Sequence, residues 1–212
     1  MNSTKGHILA LGTVAVWGLT FVSTKVLLES FAPVEILLLR FALGFVALCV
    51  MSPHVLHLKE RRHELYFIAA GATGTFLYYL LENIALTYAS AGNIGVTVST
   101  APLFTAIIAT VLGRERSLTP GFIVGFLVAM TGIVLIGGQD GSTSQAGFGD
   151  ILAIGAAVTW AVYSNVLVAL NDAGYETIAM TKRIFAWGLL FIALACPFFG
   201  ADASHLSALM GN

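Results

Sequence analysis

Apolar residues in this chain run in long unbroken blocks, not in strand-like alternation or single helical stripes. The blocks are Ile8–Leu28, Val34–Met51, Leu65–Tyr88, Gly92–Leu112, Gly121–Gly137, Ile151–Leu170 and Ile178–Phe199. A helix needs about 20 apolar residues to cross the hydrocarbon core, at about 1.5 Å per residue. Backbone groups facing lipid must bond within their own segment, so an open chain of such blocks predicts helices. The pattern therefore predicts an all-α integral membrane protein, a polytopic bundle of seven spanning helices. The longest connectors are Ser52–Glu64 and Gly138–Asp150. The first block exceeds the roughly 7–15 apolar residues of a signal peptide, and no small-x-small cleavage site follows it.

Composition agrees with the blocks. Hydrophobic residues make up 58% of the chain and charged ones 10%, with a mean hydropathy of +0.89. A soluble domain carries about 25% charged residues, so lipid is the surrounding that this chain tolerates. A net charge of −1 gives no footprint for nucleic acid. Cys49 and Cys196 fall inside apolar blocks and read as packing residues. The sequence calls for no metal and no cofactor.

Lysine and arginine placement predicts orientation. Lys5, then Lys59, Arg61 and Arg62, then Arg114 and Arg116 collect on one side, with Lys182 and Arg183 at the mouth of the last block. The connectors around Ser30, Ser90, Gln139 and Asp202 carry none. That bias predicts a cytoplasmic N-terminus and a plasma (cell inner) membrane location.

The chain also matches itself. Shifted by 143 residues without a gap, GHILALGTVAVWGLTF from Gly6 lies over GDILAIGAAVTWAVYS from Gly149. Trp17 falls on Trp160 and Arg40 on Arg183. Five blocks separate the two starts, so the second copy begins from the opposite side of the membrane. That is an inverted repeat, as found in many transporters.

Four stretches resemble the EamA family of the drug/metabolite transporter superfamily: WGLTFVSTK (Trp17–Lys25), LLLRFALG (Leu37–Gly44), ENIALTYASAGNIGVTVSTAPLFTAIIATVLGRERSLTPG (Glu82–Gly121) and GFLVAMTGIVLIG (Gly125–Gly137). The third is the most specific, with Pro102 inside a helix and Glu115 at its end. The resemblance implies ten helices in two five-helix halves. Residues 1–138 then form the first repeat and 139–212 an incomplete second one with two helices, leaving seven of ten helices present. It further implies an exporter of small organic metabolites, with a midplane pocket between the repeats. The alternative is a non-transporting fragment of such a protein. Lipid, a small solute and a possible second copy are the expected partners.

Candidate site residues lie inside the blocks. Glu82 sits about 9 Å from the outer end of the third block, where an unpaired carboxylate is costly and must face the bundle interior. Arg40 reaches a similar depth, and Lys25 lies near the outer end of the first block. These charges either line a cavity or pin helices together. Trp17 and Trp160 fall near mid-span, away from the interface where tryptophan usually anchors. They either offer π faces to an apolar or cationic solute or pack helices. Tyr78, Tyr79, Tyr163 and Thr100 share that choice. Lys25, Arg40, Glu115 and Arg183 are read as structural or gating charges. Gly121, Gly125, Ala129 and Gly132 predict close helix packing first and a dimer face second.

Other classes fit less well. Gly147–Phe148–Gly149–Asp150 matches the GxGD pattern of intramembrane aspartyl proteases, but that chemistry needs a second, facing aspartate. A seven-helix receptor-like or retinal protein would want an outside N-terminus and a lysine within the last helix. No catalytic residue is expected, and His54, His57 and His63 read as part of a charged connector.

Overall fold

The computed structural model describes residues 3–114, 118–137 and 146–199. Among them the chain is mostly helical, with no strand. The elements are α1 (Ser3–Leu27), α2 (Pro33–Met51), α3 (His63–Ala70), a π-helical segment (Gly71–Leu77), α4 (Tyr78–Tyr88), α5 (Ala91–Val98), α6 (Ala101–Val111), α7 (Pro120–Gly137), α8 (Ala146–Asp172), α9 (Thr177–Ala195) and a closing 3₁₀ turn (Cys196–Phe198). The protein is a multi-pass membrane protein. Five described helices are long and apolar enough to cross a bilayer: Gly6–Leu27, Pro33–Met51, Ala91–Val111, Gly147–Asp172 and Thr177–Phe198.

Two expected spans are not among these five. The block at Leu65–Tyr88 becomes α3, the π segment and α4, one helical path widened in its middle. Its extra backbone residue goes with tight packing: a Cβ at Gly74 would sit 2.3 Å from the Tyr163 ring, and one at Gly71 2.7 Å from Trp187 Cβ. Widened turns of this kind gather at functional sites. Helix α7, Pro120–Gly137, is apolar along its described stretch Pro120–Gly132.

Turn chemistry sets the ends. Pro33 opens α2, where the Ala32 N–H donates to Glu35 Oε2 at 2.8 Å. Ser90 Oγ accepts the Asn93 N–H at the start of α5. Gly174, at φ 71°, ends α8 in the left-handed conformation that favours glycine. Between α5 and α6 the helix breaks at Ser99–Thr100, just before Pro102, whose ring nitrogen has no proton to donate.

Three apolar clusters hold the bundle. Phe41, Leu80 and Ile192 join α2, α4 and α9. Phe67, Leu170 and Ile184 join α3, α8 and α9. Leu86, Ile94 and Ala153 join α4, α5 and α8. Helix α8 runs antiparallel to the α3–α4 path from end to end. Leu170 packs near Phe67, and Gly149 lies against Ala85 and Tyr88.

Two ends can be told apart. At one, which we call the basic end, Lys59 Nζ donates to the Ala173 and Gly174 carbonyls at 2.7 and 2.8 Å. There Tyr175 accepts the Lys59 N–H and pairs with His63 Nδ1, each at 2.9 Å. At the far end, Lys25 Nζ donates to the Leu86 and Ala89 carbonyls, capping α4. Gly149 meets that same turn of α4, so α8 starts at the end where α1 finishes.

One packing expectation is corrected. Among the described residues nothing lies within 4 Å of a Cβ built at Gly121, Gly125 or Gly132. Helix α7 turns Phe122, Phe126 and Met130 inward instead, with the two phenylalanine rings stacked at 6.3 Å. Close glycine packing occurs elsewhere: a Cβ at Gly188 would lie 2.2 Å from Thr75.

Candidate functional site

An aromatic junction forms where α1, α4 and α8 meet. The Trp17 and Trp160 rings meet edge to face at 5.4 Å. Trp160 also touches Tyr78 at 4.8 Å and Tyr163 at 5.2 Å. Helical spacing explains the cluster: Trp160 and Tyr163 are three residues apart on one face of α8. Trp17 is 48% exposed, so the junction is open on its α1 side.

Two cavities flank the junction. A smaller one of about 280 Å³ lies toward the far end, lined by Trp17, Phe21, Tyr78, Ser99, Pro102 and Trp160 among others. A larger one of about 740 Å³ reaches the basic end, where Arg114 and Asp172 line it with Thr105, Ser164 and Asn165. Pro102 and Trp160 line both. They form a common wall, and the helix break at Ser99–Thr100 adjoins it.

Of the expected substrate residues, Trp17, Tyr78 and Trp160 line the smaller cavity. Tyr163 buttresses Trp160 and fills the gap over Gly74. Tyr79 turns the other way, onto Phe41 at 5.1 Å, with the Arg40 guanidinium 5.6 Å from its ring centre. Thr100 sits at the helix break, and its hydroxyl donates to the Thr97 carbonyl at 2.7 Å. Glu82 is 3% exposed and stands behind Tyr78, to whose hydroxyl it is hydrogen-bonded. Arg40 acts on Glu82 through space, while its Nη2 donates to Thr24 Oγ1 at 2.7 Å.

Lys25 and Arg183, among the remaining charges, are held by partners within the bundle. Lys25 caps α4. Arg183 donates through Nε and Nη2 to Glu64, the shortest contact being 2.5 Å. Glu115 lies outside the described residues. Asp150 accepts from Asn93 Nδ2 at 2.6 Å, with no facing aspartate among the described residues. No described group of His, Cys, Asp and Glu is set to hold a metal.

Several partners escaped the sequence reading. Glu64 and Trp187 complete the Arg183 site, Trp187 Nε1 donating to Glu64 Oε1 at 2.6 Å. Phe21 carried a usable signal, four residues after Trp17. Buried Asn165 carried none, and it bridges α8 to the Thr105 carbonyl at 3.2 Å.

Residues 4–138 match the EamA-like transporter family. The chain belongs to that family. An uncharacterized transporter of Archaeoglobus fulgidus is 29% identical over 91% of this chain, which covers 66% of that protein. A probable terminal-alkyne amino-acid exporter of Streptantibioticus cattleyicolor is 30% identical over 71% of this chain, which covers 50% of that protein. A solved crystal structure superposes with a TM-score of 0.61 at 21% identity, over 88% of this chain and 68% of its own, and so shares the fold. The EamA-like relatives are transporters rather than enzymes.

Proposed function

We propose that this chain belongs to an exporter of small organic solutes, whose path runs through the larger cavity, past Trp160 and Pro102, into the smaller one. The observation that carries this reading is the shared wall between two cavities, one reaching the basic end and the other lying toward the far end. The aromatic faces of Trp17, Tyr78 and Trp160 suit a solute with an apolar body or an ammonium group, by stacking and cation–π attraction. Glu82 stands behind Tyr78 and aims its hydroxyl. The amino-acid exporter among the relatives supports an amino acid or a similar amine as solute. Tyr79, Tyr163 and Thr100 shape the site from behind.

The same reading takes seven spans, with residues 1–138 as one repeat and 139–212 as the start of an inverted second. It is supported by α8 starting at the end where α1 finishes, by the Trp17–Trp160 contact and by the α3–α4 path matching α8 in extent. The lysine and arginine bias supports a cytoplasmic basic end in the plasma membrane, so the larger cavity is where an exported solute enters.

Tryptophan fluorescence of the purified chain tests the site. Titration with neutral amino acids and organic amines should give a saturable change for some of them. That change should vanish in Trp160→Leu and survive in Trp187→Phe. A change lost in Trp187→Phe but kept in Trp160→Leu would place the solute elsewhere.

A further inference from the structure

A third cavity, of about 290 Å³, lies at the basic end between α2, α9 and the 52–62 loop. Its wall is divided by chemistry. Phe45, Val55, Leu56 and Ala186 form an apolar trough, and Lys182, Arg183 and Glu64 stand at one side of it. The charges there are unevenly matched. Glu64 accepts from Arg183 Nε, Arg183 Nη2 and Trp187 Nε1, so the Arg183 charge is cancelled and the carboxylate is saturated. Lys182 Nζ donates to the Ser52 carbonyl and to the His54 carbonyl at 2.6 Å. Those dipoles hold the ammonium in place without neutralising it. Among the described residues no carboxylate pairs with Lys182. The cavity therefore carries one net positive charge beside an apolar trough, on helices that meet lipid: Val46 and Val50 of α2 and Leu190 and Leu194 of α9 are exposed.

We propose that this cavity binds one anionic phospholipid of the adjoining leaflet, with its phosphate at Lys182 and an acyl chain along Phe45, Leu56 and Ala186. A zwitterionic lipid brings its own cation to the phosphate and so gains less from an unpaired ammonium. One basic residue near a membrane surface corresponds to about a fivefold preference for the anionic headgroup. The bound lipid would join the 52–62 loop to α9, completing the fastening that Lys182 begins.

Trp187 lines the cavity and serves as the reporter. The full chain is placed in phosphatidylcholine nanodiscs containing rising fractions of a brominated lipid, which quenches tryptophan on contact. The difference between the chain and its Trp187→Phe variant isolates the Trp187 signal. Brominated phosphatidylglycerol should reach half-quenching at about a fivefold lower fraction than brominated phosphatidylcholine. Lys182→Gln should bring the two curves together. Ala186→Leu fills the trough from an exposed position, and should weaken quenching by both lipids. Coincident curves in the unchanged chain would overturn the proposal, as would a preference that survives Lys182→Gln. Should Lys182→Gln fail to fold, Ala186→Leu decides: unaltered quenching overturns the proposal, and weakened quenching supports it.

Discussion

Arg40 on α2 and Arg183 on α9 coincide when the sequence is shifted by 143 residues, yet the two ends of the bundle use them differently. Arg183 meets Glu64 through two nitrogens, and the Trp187 indole takes up the remaining capacity of that carboxylate. Nothing in that group is left to offer a solute. Arg40 meets a neutral hydroxyl on Thr24 and the face of Tyr79, and the nearby carboxylate, Glu82, takes the Tyr78 hydroxyl instead. A partly exposed ion pair with good geometry fixes helices, whereas a buried carboxyl held by a phenol stands beside the site without pinning Arg40 to it. The difference separates an arginine paired with a carboxylate from one that meets neutral groups, although the sequence presents the two alike.

Substitutions can break this contrast, and the largest effect should come from Glu64. Glu64→Ala strands Arg183 without its countercharge. Removing one partner of a fully buried pair costs about 3–5 kcal/mol. This pair is 23–26% exposed, so solvent screening lowers the expected loss to about 2 kcal/mol. It should show as a lower midpoint in thermal unfolding, with solute binding by the remaining folded protein unchanged. Loss of binding with stability intact would merge the two regions.

Gly188→Val should cost about as much. The added Cβ meets Thr75, and overpacking of this kind costs about 1–3 kcal/mol. The measured loss should fall in stability alone, since Gly188 touches neither cavity. Thr24→Val should cost about 1 kcal/mol, by removing the acceptor for Arg40 and leaving a charged donor unmet. Double-mutant coupling between Thr24 and Arg40 in unfolding experiments checks that the cost arises from their hydrogen bond. The smallest stability effect is expected for Glu82→Gln, below about 1 kcal/mol, because the amide still accepts from Tyr78. Its solute affinity should nevertheless fall several-fold for amines. A stability loss as large as that of Glu64→Ala would make Glu82 a pinning residue.

Much of this was legible in the sequence. The apolar blocks and the Lys/Arg bias delimit the helices and suggest which connectors share an end. The matched tryptophans pointed to residues that meet in space. Less legible was what each charge would find. Glu64 reads as the end of a charged connector, and only folding brings it to Arg183, 119 residues away. The glycines of α7 follow a packing motif, but Phe122 and Phe126 fill that helix's inner face, so no described residue packs on the motif. Gly71, Gly74 and Gly188, which do allow close approach, carry no such spacing. The widened turn at Gly71–Leu77 depends on what packs against it, and no local pattern announces it.

The central claim is that Trp160 and Pro102 divide a path open to the basic end from a chamber beyond it. It can be tested in proteoliposomes with Cys49 and Cys196 changed to serine. Single cysteines replace Ser164 in the larger cavity and Ser99 in the smaller one. An impermeant maleimide is then added only to the face that carries the 52–62 loop. The account predicts rapid labelling at 164 and slow labelling at 99, with Trp160→Ala raising the rate at 99 by about tenfold or more, the factor that ~1.4 kcal/mol represents. Equal rates at both positions with Trp160 in place would contradict it.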